Sequence, residues 1–89
     1  MEEQNSFMAG SDSDLDQLRT AETHVKEIIA NAGISAGGPI KVTLNGDQKE
    51  WQHRGTFKDV SNFSLNIDNY NGLGVSAQLA CINVSSVSI

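Results

Sequence analysis

Asp14-Leu15-Asp16-Gln17-Leu18-Arg19-Thr20-Ala21-Glu22-Thr23-His24-Val25-Lys26-Glu27-Ile28-Ile29-Ala30-Asn31-Ala32-Gly33 is the stretch whose periodicity decides the fold. Its apolar positions Leu15, Leu18, Ala21, Val25, Ile28, Ile29 and Ala32 recur three and four residues apart, which is one stripe of an α-helix. Asp16, Arg19, Glu22, Thr23, Lys26 and Glu27 fall mainly on the other side. Gly33 has the place of a C′ residue, free to turn left-handed, with Ile34 folding back on the last turn. Upstream, Ser11-Asp12-Ser13-Asp14 offers N-cap side chains, and Asp16 stands three after Ser13 as an approximate capping box. The spacing predicts a helix from about Asp14 to Ala32, after a flexible acidic leader over residues 1–12.

Downstream the period changes from 3.6 to 2. Ser35-Ala36-Gly37-Gly38-Pro39 reads as a linker stopped by proline. Ile40, Val42 and Leu44 then alternate with Lys41, Thr43 and Asn45, as in a half-buried strand. Asn45-Gly46 signals a tight hairpin. A second strand is expected over Lys49–Lys58, with Trp51, His53, Gly55 and Phe57 on one face and Trp51 as a core anchor. Asp59 to Asn62 reads as a turn, Phe63–Asp68 as a third strand, and Asn69 to Gly74 as a longer loop. A fourth strand over Val75–Val87 is apolar on both faces in its middle. The connections are too short for crossovers, so the sheet should be antiparallel. The expected fold is α+β: one domain over residues 13–89, an amphipathic helix packed on a four-stranded antiparallel β-meander. Its core should comprise Leu18, Val25, Ile29, Val42, Leu44, Phe57, Phe63, Leu65, Ile67, Leu79 and Ile82.

Charge is distributed as unevenly as structure. The chain of 89 residues has 11 acids and 6 bases, a formal charge of −5. Through Gly33 the acids Glu2, Glu3, Asp12, Asp14, Asp16, Glu22 and Glu27 face only Arg19 and Lys26, whereas the remainder is balanced. Without a basic footprint, nucleic acid is not an expected partner, and anionic membrane surfaces are disfavoured. A membrane would enter only through a natural apolar segment upstream.

Residue types with chemistry are present but not arranged for it. Asp12-x-Asp14-x-Asp16 imitates the opening of a calcium loop, but Gln17 and Thr23 stand where that loop needs glycine and glutamate. Helix-capping acids are the better reading. His24 reads as a solvated helix residue, and His53 as a partly buried histidine with one satisfied ring nitrogen. Cys81, the single cysteine, reads as an inert core residue. Gly37-Gly38-Pro39 lacks the following helix a phosphate loop requires. Asn62-Phe63-Ser64 and Asn83-Val84-Ser85 match glycosylation acceptors but lie in expected strands. No enzymatic activity, metal, cofactor or small-molecule substrate is expected.

The run from Asn5-Ser6 through Ser13-Asp14-Leu15-Asp16-Gln17-Leu18-Arg19-Thr20-Ala21-Glu22 resembles the exposed half of the long helix in bacterial type IV pilins and pseudopilins. The resemblance implies a globular head in which that half-helix packs on an antiparallel sheet. It further implies a structural subunit acting by protein–protein contact, at the cell surface or outside the cell. The apolar N-terminal half-helix of pilins and a second cysteine are missing from this sequence. On this reading the natural gene encodes an apolar segment upstream. The alternative is a small acidic cytoplasmic inhibitor or adaptor, of phage or mobile-element type, with Met1 as its start; a small enzyme is a distant third. The expected contact residues are Asp12, Asp14 and Asp16 on the acidic helix. Leu79, Ile82 and Val84 are added on the terminal strand, where an uncovered apolar face invites self-association.

Overall fold

The computed structural model describes the backbone of residues 2–89 and the side chains of residues 14–89. One helix, α1 (Glu2–Asn31), precedes five strands: β1 (Pro39–Leu44), β2 (His53–Ser61), β3 (Ser64–Asp68), β4 (Ala77–Ala80) and β5 (Val84–Ser88). All strand pairs are antiparallel, in the spatial order β4-β3-β2-β1-β5. The α+β architecture and the antiparallel sheet are as expected. Helix α1 begins well upstream of Asp14, so the expected cap at Ser11–Asp14 falls within it.

The C-terminal end of α1 is built as its sequence implies. Gly33 has φ +74°, its N–H donates to Ala30 O, and the Ile34 N–H donates to Ile29 O. This pair of bonds is a Schellman motif. It turns Ile34 under the helix, where it is buried with Val25 and Ile29.

The expected fourth strand is two strands. β4 and β5 run in the same direction, because each is antiparallel to a partner (β3 and β1) that is antiparallel to β2. Yet they occupy opposite edges of the sheet and are separated only by a 3-10 turn, Cys81–Asn83. Five flat strands would set those edges roughly 19 Å apart, whereas the steps from Ala80 to Val84 span at most about 14 Å. The sheet is therefore strongly coiled, nearly closing on itself around the core.

The apolar appearance of both faces of this stretch has the same origin. The 3-10 turn shifts the alternation by one residue, so Leu79, Cys81 and Val84 are all buried while Ile82 points out, 45% exposed. A bulge next to Leu44 in the β1–β5 pairing shifts it again, placing Val87 opposite Val42. Phase shifts, not an uncovered face, explain the pattern.

Other boundaries moved for local reasons. The β1–β2 pairing ends at Val42↔His53 and residues 45–52 form the connection, so Lys49–Gln52 is not strand. There Asp47 Oδ2 accepts the Leu44 N–H (2.7 Å) and Thr43 Oγ1 accepts the Trp51 N–H (2.8 Å), replacing ladder bonds. Trp51 sits in this turn at φ +59° and is not part of the core cluster. The β2–β3 turn is Asn62-Phe63, both left-handed at φ 52° and 60°, rather than Asp59–Asn62. Phe63 thus leaves the expected core. Leu18 is half-buried; Leu44 and Phe57 pack on the core from its margin. The buried cluster is Val25, Ile29, Ile34, Ile40, Val42, Leu65, Ile67, Leu79, Cys81 and Val84. Gly55 lies inside this coil because a Cβ there would come within 2.3 Å of Ile67 Cγ2 and 2.5 Å of Asp68 O.

Candidate interaction site

Among the described side chains, contacts between α1 and the core begin at Ala21 and continue through Val25, Ile28, Ile29 and Ala32. Glu22 marks the boundary: its Oε2 accepts the Phe63 N–H at 2.8 Å, tying the helix to the β2–β3 turn, while Oε1 lies 3.5 Å from Lys26 Nζ. Before this point Asp14, Leu15, Asp16 and Gln17 are all exposed, Leu15 by 37%. Asp16 makes a surface pair with Arg19 at 3.9 Å. A hollow of about 560 Å³ lies between this segment and the 3-10 turn, lined by Asp16, Gln17, Thr20, Ala21, His24 and Ile82.

The expected contact residues therefore separate into groups. Asp14, Asp16 and Ile82 are exposed at or next to this hollow. Leu79 and Val84 are 8% and 7% exposed and belong to the core, so no surface contact runs through them. The side chain of Asp12 lies outside the described residues.

At the other end of β4, the loop from Asn69 to Val75 is tightly bonded. Tyr70 N–H donates to Val75 O (2.7 Å), Leu73 N–H to Tyr70 O (2.9 Å) and Gly74 N–H to Asn69 Oδ1 (2.9 Å). Asn71 Oδ1 accepts the Arg54 N–H (3.0 Å). Asn69 and Asn71 are left-handed, as are Gly72 and Gly74, which asparagine and glycine tolerate best. This scaffold holds Leu73 at 70% exposure and Val75 at 53%. Sequence periodicity identified the loop but not its apolar tip, since a lone leucine in a polar loop carries no pattern. Beside it lies an open groove of about 650 Å³ whose lining includes Lys49, Glu50, Trp51, Arg54 and Gly72.

His53 is anchored from both sides. Nδ1 lies 2.5 Å from the Tyr70 hydroxyl, and the two rings stack at 5.7 Å. Nε2 lies 3.3 Å from Asp47 Oδ2 but without hydrogen-bond alignment. The satisfied ring nitrogen is as expected; its partner Tyr70, 17 residues away, and the neighbouring Asp47 could not be read without the fold. The His53–Tyr70 contact pins the Asn69–Val75 loop to the start of β2. Cys81 is remote from it: its N–H donates to Phe63 O, before β3 begins, whereas Tyr70 follows the end of β3. Burial, with a smaller push from Glu22 and an opposing pull from Lys26, raises the Cys81 thiol from 9.0 to about 11. A thiol so shifted is protonated and unreactive near neutral pH.

Among the described residues no three His, Cys, Asp or Glu side chains converge as a metal site, and no helix is long and apolar enough to cross a membrane. No protein-family model, curated protein or solved structure was found to match this chain.

Proposed function

We propose that this chain is a non-enzymatic assembly subunit, similar to a type IV pilin head, acting by protein–protein contact through a helix that outruns its sheet. One observation carries the reading. Helix α1 spans 30 residues, about 45 Å at 1.5 Å per residue, and among its described side chains, from Asp14 onward, core contacts start at Ala21. The apolar stripe continues past that point through Leu18 to the exposed Leu15, and a stripe extending beyond the surface that covers it fits a further partner. A helix packed by its C-terminal part on an antiparallel sheet is also the arrangement the pilin resemblance implies. The partner is another copy or another protein, not nucleic acid, and the site of action is the cell surface or beyond.

Light scattering as concentration rises tests this. The wild-type mass climbs above the monomer, while Leu15→Lys/Leu18→Lys, which leaves the buried cluster untouched, stays lower. A strict monomer at every concentration overturns self-assembly. It would favour a second reading, supported by exposed Asp14 and Asp16, of an acidic cytoplasmic adaptor or inhibitor that binds a host protein.

A further inference from the structure

We infer that copies of this chain join head to tail, Leu73 of one copy entering the hollow between α1 and Ile82 of the next. This rests on the assembly reading above and names its partner surface. The knob and the hollow are both built before any partner arrives. Leu73 is 70% exposed on a loop held by five hydrogen bonds from or to Asn69, Tyr70 and Asn71, so presenting it costs little ordering entropy on association. The hollow, about 560 Å³, has Ala21 and the 45%-exposed Ile82 in its wall.

The two features lie at the two ends of β4: the loop precedes Ala77 and the turn bearing Ile82 follows Ala80. Both are fixed to the same short strand, so one molecule cannot close the contact on itself. A second copy is the occupant because charge matches as well as shape. Lys49 and Arg54 stand in the groove beside the Leu73 loop, with Glu50 the only acid in its lining. Exposed Asp14 and Asp16 stand on α1 at and before the hollow. Docking the knob brings the basic margin of one copy toward the acidic helix of the next, which steers and orients the encounter. Because two different patches meet, the contact is heterologous and does not close by itself; it generates chains rather than a fixed dimer.

Sedimentation and light scattering on four samples test it: wild type, Leu73→Asp, Ile82→Asp, and an equimolar mixture of the two variants. Wild type grows with concentration without a fixed endpoint. Each variant alone is monomeric, with an unchanged circular-dichroism spectrum since both side chains are exposed. The mixture stops at a one-to-one dimer, because each variant keeps the surface the other lacks. Lys49→Glu serves as an independent variant that leaves knob and hollow intact; it weakens association most at low salt, and adding Asp14→Lys restores it. If wild type associates but both single variants associate equally well, this contact is overturned and the assembly reading stands. If the variants are monomeric and their mixture is too, the contact joins like patches and the head-to-tail arrangement falls. If wild type never associates, both readings fall.

Discussion

The two parts of α1 share one sequence pattern and have opposite environments. From Ala21 to Ala32 the stripe is covered: Val25 is fully buried and Ile29 is 5% exposed. From Asp14 to Thr20 the same spacing continues, yet Leu18 is half-buried and Leu15 exposed. The difference is set by where the coiled sheet ends, at the Asn62-Phe63 turn that Glu22 holds, not by any change in the helix. Amphipathic spacing says which face of a helix is apolar; the length of the opposing surface decides how much of that face is used for folding.

The largest expected difference between the two parts is in stability. Ile29→Ala should cost about 2–5 kcal/mol, the usual range for truncating a buried isoleucine. Chemical denaturation would show it as a lower midpoint at an unchanged slope. A cost below that of ordinary surface substitutions would mean the helix is not docked as described.

Next comes pH, read at the thiol beneath the packed part. Cys81 has its pKa raised to about 11 from 9.0. The folded state thus holds a proton that the unfolded state gives up, and stability is fully present below pH 9, falling as pH rises toward 11. Cys81→Ser should flatten that part of the stability profile, and alkylation of the native thiol near pH 8 should be far slower than in denaturant. A native thiol that reacts as fast as the unfolded one would refute the burial.

At the boundary, Glu22→Ala leaves the part-buried Phe63 N–H without its 2.8 Å acceptor, a loss of about 1–3 kcal/mol. It also removes one of the two influences raising the Cys81 pKa, so the alkaline loss of stability should begin at a similar pH but end lower. Glu22→Gln, which keeps an acceptor oxygen, should recover much of the stability. The smallest effect belongs to the projecting part: Leu15→Ala should change stability by no more than about 0.5 kcal/mol, as for surface sites generally. A large loss there would show that Leu15 is covered in the folded monomer, and would remove the basis for assigning it to a partner.

The candidate site was legible only in fragments. Asp14, Asp16 and Ile82 stand out by charge and apolar pattern; all three are exposed, and Asp16 and Ile82 line one hollow. Leu79 and Val84 group with Ile82 in the sequence because one continuous strand over Val75–Val87 reads as apolar on both faces, and the 3-10 turn Cys81–Asn83 breaks that strand. Leu73, and Asp47 and Tyr70 as neighbours of His53, carry no sequence signal, because their meaning depends on residues joined through the fold.

By itself the sequence determined the helix from Asp14 onward, its apolar stripe and its Gly33–Ile34 ending, since these follow from spacing and backbone freedom within a few residues, though not its start at Glu2. It likewise determined the antiparallel sense of the sheet, because the connections are too short for anything else. Tertiary structure alone decided that the last apolar stretch divides between two sheet edges. Local alternation cannot count a residue absorbed by a 3-10 turn or a bulge, and only the coiling of the whole sheet brings β3 and β1 within reach of the same strand. The exposed stretch of α1 was decided in the same way, because a helix cannot encode within its own period where its neighbour stops.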